Sequence, residues 1–430
     1  MKQVAIVLLK RTGWTLLVSL GAFLALLLAW AASNSRWADA APQPRPAQLQ
    51  LKPTTLAPER NAFFALSELH TVAGSTQSLA RLSGALGSCN TDACVANWLA
   101  EPATLRDLLV PYAELGRRCD ALMSDFRFEE IAPADGLPDR SLSYATHLTG
   151  ARDCARWFQA QAVLSASRGD LSATLQRLEQ GDQIWRGVLA GSRSTISHVI
   201  SWPSLRLQWQ TVAELGARHP QWAVQLAPLL RPLEPASLSA ERWIAYESSL
   251  TYGAIAQLPL GCARPRLPEQ SNWADSLFCR LGIGILSQET LQASDRYWLS
   301  MLEASHEDIA QALGRVPLKS EDSPNWYSSL VWRNSMGHLL LTLARQLYPS
   351  YLVKQADVEL HRRTAVLALQ LAVERVPVAQ RAAWLAARRT TSHDQRLVLA
   401  RDELQGRPWL SELNSKLEPR DAIRIPLAGF

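Results

Sequence analysis

Residues 155–189 read ARWFQAQAVLSASRGDLSATLQRLEQGDQIWRGVL. Trp157 and a set of small residues recur at helical spacing up to a turn at Gly169-Asp170, and Ala173 and Leu178 then mark a second run of the same period. Two helices joined so tightly are antiparallel neighbours that share an apolar seam. The pattern continues in both directions as long Leu/Ala/Arg/Gln/Glu stretches with few Val-Thr-Ile alternations, broken by Pro, Gly and Asp at irregular intervals. Helices are predicted near 58–71, 76–87, 91–99, 103–123, 141–168, 171–190, 194–218, 220–230, 236–257, 286–313, 327–347, 350–375, 377–389 and 393–404. Within Leu286–Leu313, Leu291, Trp298, Leu302 and Ile309 follow one another at spacings of 7, 4 and 7, on one stripe that must pack against neighbours.

The predicted fold is therefore all-α: a large multi-helix domain over 58–405, either an array of helical hairpins or a bundle. Pro- and charge-rich segments at 125–140, 259–275 and 314–326 are surface loops over one helical body or hinges between subdomains, and one continuous domain is expected. A tail over 406–430 reads as partly irregular, with a short strand at Ala422–Leu427.

The chain has 430 residues, 47% hydrophobic and 19% charged, too apolar for a disordered polymer and without the repeated long apolar blocks of a polytopic membrane protein. One apolar block stands out. Trp14–Ala32 (WTLLVSLGAFLALLLAWAA) has no charge over 19 residues, which as a helix spans roughly 28 Å, close to the hydrocarbon thickness of a bilayer. Trp14 and Trp30 lie near its ends, and Lys10 and Arg11 precede it, so the positive-inside rule places residues 1–13 in the cytoplasm and the chain after Ser33 outside. Ala38-Asp39-Ala40 has the small-x-small form of a signal-peptidase site, but the apolar region is longer than a signal peptide's and ends about six residues earlier, so an uncleaved anchor over 1–32 is expected. Six lysines against 38 arginines fit a GC-rich bacterial genome, which makes the bacterial inner membrane and the periplasm the expected location. Residues 33–57, with Pro42, Pro44, Pro46 and Pro53, read as a linker, about 28 Å long as a coil and about 78 Å as a polyproline rod.

The formal charge of +5 is mostly this topology signal, because Lys2, Lys10 and Arg11 lie before the anchor's end and no acid occurs before Asp39. The remaining +2 is no footprint for nucleic acid. Cys89, Cys94, Cys119, Cys154, Cys262 and Cys279 are an even set in a compartment where disulfides persist, and sequence proximity favours Cys89–Cys94, Cys119–Cys154 and Cys262–Cys279. No CxxC occurs, and His70 is too far from Cys89 for a compact metal spacing, so neither metal nor cofactor is expected.

No GxSxG, GxGxxG, P-loop, HExxH or SxxK is present. His306 lies on the apolar stripe beside Glu307 and Asp308, and His338 on a Leu-rich helix; each is a candidate general base, or a hydrogen-bonded core histidine. His198 precedes Trp202-Pro203, a break whose freed carbonyl its ring can satisfy. Sixteen tryptophans either fill the core or line a groove, and Trp326 and Trp332 are the best candidates for an exposed pair. A binding groove would then gather Trp326, Trp332, His338 and His306. Glu129-Glu130 and Glu321-Asp322 read as solvated loop charge.

Asn334-SMG-His338-LLLTLARQLYPSYLVKQADVELHRRTAVLALQL, the early helix Asn61-AFFAL and Arg401-DELQGRPW resemble a group of uncharacterised, membrane-anchored helical proteins of proteobacteria. The resemblance implies the anchor-plus-helical-domain architecture and no activity. The 155–189 unit is in addition similar to a single tetratricopeptide-type hairpin. The function expected from all this is a non-catalytic envelope interaction or scaffold module, held to the bilayer through residues 14–32 and contacting another envelope protein. The alternative is a membrane-tethered enzyme acting on cell-wall or lipid material.

Overall fold

The computed structural model describes residues 18–26, 28, 40–71, 81, 82, 86, 94–131, 146–257, 286–307, 334, 337, 341, 348–400, 403–406 and 423–427. Its helices are α1 (Ala62–Ser67), α2 (Cys94–Ala100), α3 (Pro102–Leu109), α4 (Ala113–Leu122), α5 (Thr146–Ser167), α6 (Leu171–Gly191), α7 (Thr195–Arg218), α8 (Ala223–Leu226), α9 (Glu241–Gln257), α10 (Ser287–Ser305), α11 (Pro349–Val373), α12 (Arg381–Arg388) and α13 (Ser392–Gln395). Short 3-10 turns join several of them, and β1 (Leu397–Ala400), β2 (Glu403–Gly406) and β3 (Ile423–Pro426) complete the described elements. The protein is mostly helical, as its periodicity predicts. Most of the predicted helices 76–87 and 327–347, and the loops 259–275 and 314–326, lie outside the described residues.

The described residues divide into two compact units. The larger draws on 50–247, 302–318 and 349–430, and its centre is the α5–α6 hairpin. The reversal is built as its residues require: Gly169 adopts φ +75, and the Asp170 side chain accepts from the Ala173 N–H at 3.0 Å, capping α6. α5 is buried on almost every face from His147 to Ala166, so it runs through the middle of the unit rather than along its surface. Small residues allow this. A Cβ on Gly150 would meet the Leu66 carbonyl of α1, and one on Gly116 of α4 would meet the Trp157 ring. α7 packs on α6 and on α11, and its helix continues through Pro203, so no break occurs at Trp202-Pro203.

Cys119 of α4 and Cys154 of α5 are joined as a disulfide with both side chains fully buried, as their proximity predicts. Cys94 opens α2, and Cys89, Cys262 and Cys279 lie outside the described residues.

The predicted helix 393–404 is not one. α13 ends at Gln395, and β1 and β2 pair antiparallel, Leu397 opposite Gly406 and Ala400 opposite Glu403. β3 joins β2 with Leu404 opposite Ile425, which places the predicted strand at 422–427. Leu397, Leu404 and Ile425 are fully buried; a four-residue run of Leu, Val and Ala reads equally well as helix or strand, and only its distant partner decides.

The second unit draws on 1–49, 248–301 and 319–348. Its described part includes about the first four turns of α10, with Leu291 and Trp298 buried and Trp298 packed edge-on against Tyr297 and Tyr348, ring centroids 5.2 and 4.6 Å away. Asn334 holds the start of α10: its Oδ1 accepts from the Leu286 N–H at 3.0 Å and its Nδ2 donates to Thr290 Oγ1 at 2.8 Å. Asn334 sits at φ +59, a conformation that asparagine tolerates better than most residues, and a Cβ on Gly337 would strike both Thr290 Oγ1 and the Asn334 amide. The Asn-x-x-Gly pattern is thus a structural staple. α10 stops at Ser305, eight residues short of the predicted end.

Residues 18–26 are helical. Among the described residues no helix is long and apolar enough to cross a membrane, and the apolar stretch 14–32 runs past the described residues on both sides. Residues 40–57 do not behave as a free linker: Leu49 is fully buried, and backbone groups at Lys52, Pro53, Thr55 and Leu56 are engaged by side chains of the larger unit.

With 35 residues of sequence separation, the Cys119–Cys154 bond is worth about 4 kcal/mol on the chain-entropy relation. Cys154→Ser, followed by urea denaturation, is expected to lose roughly that amount, and a reducing agent to cost the variant less than it costs the wild type by about the same amount.

Candidate functional site

A densely connected polar cluster lies where residues 126–131 cross the larger unit. Asn61 caps α1 by accepting from the Phe63 N–H at 3.1 Å, and the same amide clamps Glu129, accepting its N–H at 3.0 Å and donating to its carbonyl at 2.7 Å. On the other side the Glu130 N–H donates to the Gly191 carbonyl at 3.0 Å. Gly191 is required there, because a Cβ would collide with the Phe128 carbonyl. The segment is stitched between the start of α1 and the end of α6, which sends its two acidic side chains to different tasks.

Glu130 is fully buried. Its Oε1 accepts from the hydroxyls of Ser194 (2.6 Å) and Ser197 (2.8 Å), and its Oε2 from the N–H groups of Arg193 (2.7 Å) and Ser194 (2.8 Å). These donors form the start of α7, where the helix dipole favours negative charge. The next donors are also met: the Thr195 N–H reaches Glu247 Oε1 at 3.0 Å, and the Ser197 N–H reaches the capping Ser194 Oγ at 3.2 Å.

His147, also fully buried, brings Nε2 to 3.4 Å from Ser197 Oγ and 3.9 Å from Glu130 Oε1, with its ring against Phe63 and Phe128. Serine, histidine and carboxylate together invite comparison with a nucleophilic triad. The proton order is the reverse of one. A nucleophilic serine gives its proton to the imidazole, whereas Ser197 directs its single hydrogen to the carboxylate at 2.8 Å and is left to accept from His147. With every member buried, the cluster is a lock on the start of α7.

His198 follows the same logic. Its Nδ1 lies 3.0 Å from the Ser194 carbonyl, which only accepts, so Nδ1 carries the proton. Burial pushes its pKa down, outweighing the Ser194 carbonyl and the Glu130 charge, which pull upward, while Arg242 pushes the same way as burial. The ring therefore bonds within the first turn of α7 and not with the carbonyl that Pro203 frees.

Glu129 turns outward to the preceding segment. Its Oε2 accepts from the Thr55 N–H (2.8 Å), the Thr55 hydroxyl (3.0 Å) and the Leu56 N–H (2.9 Å), while Oε1 pairs with Arg193. Arg193, nearly buried, donates also to the carbonyls of Lys52 and Pro53. Burial works against the Glu129 charge, but the Leu56 and Thr55 N–H groups, the Arg193 guanidinium and the Thr55 hydroxyl outweigh it and hold its pKa below the usual carboxylate range. Glu129-Glu130 is therefore not solvated loop charge.

Other buried charges are likewise committed. Asp153 meets His70 at 3.2 Å and the Leu82 N–H at 3.2 Å. Asp182 meets Arg186 at 2.6 Å and Arg231 at 3.5 Å. Asp394 pairs with Arg363 and closes the capping box of α13. His361, half-buried and beside Arg206, has its pKa pushed down to about 3, chiefly by desolvation of its ring. Among the described residues no group of His, Cys, Asp and Glu side chains is placed to hold a metal ion.

Of the residues that the sequence singles out, His306 is 59% exposed in the turn after α10, with Nε2 3.7 Å from Glu241 Oε1, so it is not a core histidine. Trp326, Trp332 and His338 lie outside the described residues. Trp157, Trp185, Trp202, Trp209, Trp222, Trp243 and Trp298 are buried and fill cores. Sequence reading misses Ser194, Ser197 and His147; Ser194, as the cap of α7, is the one local signal that points to them.

No protein-family model matches the chain, and neither does any curated protein or solved structure.

Glu130→Ala strands several buried donors at once, and urea denaturation is expected to show a loss of roughly 3–5 kcal/mol. Two histidines set a pH window. His198 and His361 have folded pKa values below the unfolded value of about 6.5, so the unfolded chain binds protons that the folded chain refuses. Their stability contribution is complete above pH of about 6.5 and is lost as pH falls toward the folded values. The urea midpoint is expected to fall between pH 7 and pH 4, and less steeply in His361→Phe.

Proposed function

We propose that this protein is a membrane-anchored helical module of the bacterial envelope that works through protein contacts rather than catalysis. The observation that carries the reading is the helix over 18–26. Val18, Leu20, Phe23, Leu24, Leu26 and Leu28 are each at least 49% exposed, and they are six of the eleven exposed large hydrophobic residues among those described. A helix apolar on every side has no face to turn to water, and a bilayer is the environment that suits it. Lys10 and Arg11 before this stretch favour a cytoplasmic start and a periplasmic body. The Cys119–Cys154 bond fits an oxidising compartment.

The non-catalytic half of the reading is supported by how the polar groups are used. Ser197, His147 and Glu130 are closed to solvent, and the serine proton is committed to the carboxylate. The remaining buried acids described above pair with arginines, cap a helix or, as Asp153 does, meet a histidine and a backbone N–H, and such groups hold a shape. A scaffold needs a shape that does not change when a partner docks.

Extraction of membranes with alkaline carbonate tests the anchor. The full chain is expected to stay in the pellet, and a variant lacking residues 14–32 to leave it; a full chain that is extracted as readily as the shortened one contradicts the proposal.

A further inference from the structure

The Pro-rich residues between the apolar segment and α1 read in sequence as a spacer, but from Ala40 onward they are held to the fold. In the unit that contains residues 1–49, Gln292 Nε2 donates to the Ala41 carbonyl at 2.8 Å. Arg45 donates to the hydroxyls of Ser249 (2.8 Å) and Ser248, and its guanidinium lies 5.3 Å from the centre of the Tyr252 ring. Ser248 Oγ in turn donates to the Leu49 carbonyl at 3.5 Å, and Leu49 is fully buried. In the other unit, Glu129 takes the N–H groups of Thr55 and Leu56, and Arg193 takes the carbonyls of Lys52 and Pro53. Donor and acceptor sides of the same short stretch are therefore both gripped, by an acid and a base that are themselves paired.

Resting on the anchor reading above, we infer that residues 40–57 are a fixed strap, so that no more than the eight Cα steps from Ala32 to Ala40 separate the apolar stretch from the folded chain and the unit carrying Ala41 works at the membrane surface. The reach follows from chain geometry. Eight Cα steps from Ala32 to Ala40 cannot exceed about 28 Å at roughly 3.5 Å each, whereas an unstrapped 33–57 extends to about 78 Å as a polyproline rod. Ala40 then stays within that shorter distance of the end of the apolar stretch, so the surface of this unit around Ala41 is placed to meet membrane proteins and membrane-apposed proteins rather than those deep in the periplasm.

The full chain, reconstituted into vesicles of phosphatidylethanolamine and phosphatidylglycerol, provides the test. Hydrogen exchange of the peptide 50–57 is expected to be slowed roughly a hundredfold or more relative to free chain. A donor dye at exposed Ser300 should transfer energy to acceptors in the headgroups, and Arg45→Ala should lower that transfer. Thr55→Pro removes two strap donors, the Thr55 N–H and hydroxyl, without touching the core, and should raise exchange in 50–57 while leaving α5 and α7 protected. Free-chain exchange in 50–57 of a protein whose α5 and α7 are protected overturns the strap, and so does energy transfer that Arg45→Ala leaves unchanged. A chain that fails to float with the vesicles overturns the anchor reading and the standoff with it, while exchange in the same sample still decides the strap.

Discussion

A carboxylate taken wholly out of water costs several kcal/mol unless donors replace its hydration. Glu130 is in that position, and the donors that replace water are the first residues of α7: two backbone N–H groups and two serine hydroxyls. Because α7 packs on both α6 and α11, fixing its first turn fixes where two other helices meet. The adjacent Glu129 carries the same constraint outward to Thr55 and Leu56, and Arg193 belongs to both halves, its N–H on Glu130 and its guanidinium on Glu129. Two neighbouring residues thus couple the start of a central helix to the segment that leads toward the apolar stretch.

The second determinant is the burial of α5. A helix surrounded by others must offer small residues where backbones approach, and Gly150 does so against Leu66. The disulfide from Cys154 to α4 adds a covalent tie on the same helix. Around α5 the polar side chains that remain, such as His147 and Asp153, are fully buried and meet partners, so the core has little freedom to rearrange.

The helical architecture was legible because its signal is local: periodic apolar residues, a Gly-Asp reversal, and cysteines 35 apart. The short strand expected at 422–427 is also present, as β3. What was hidden depends on residues far away in the chain. Leu397–Ala400 is a strand because Glu403–Gly406 and Ile423–Pro426 pair beyond it, and Glu130 is buried and Glu129 paired because Asn61 and residues 191–197 lie against them. No window of sequence around an acidic pair reveals a partner 60 residues distant. Asn61 and Asn334 stood out in the sequence only through a resemblance, yet each proves to be an amide that staples one segment to another. His306 shows the opposite failure: its periodicity placed it on a stripe, but α10 ends one residue before it.

The central claim is that Glu130 acts through the hydroxyls of α7 as one unit, and a double-mutant cycle of Glu130→Gln with Ser197→Ala measures that directly. Urea denaturation of the wild type, both single variants and the double variant should give a coupling of about 1–3 kcal/mol, as residues within one buried network do. Losses that add to within about 0.5 kcal/mol would mean that the carboxylate and the serine act independently, and would contradict the account of α7 as locked in place from Glu130.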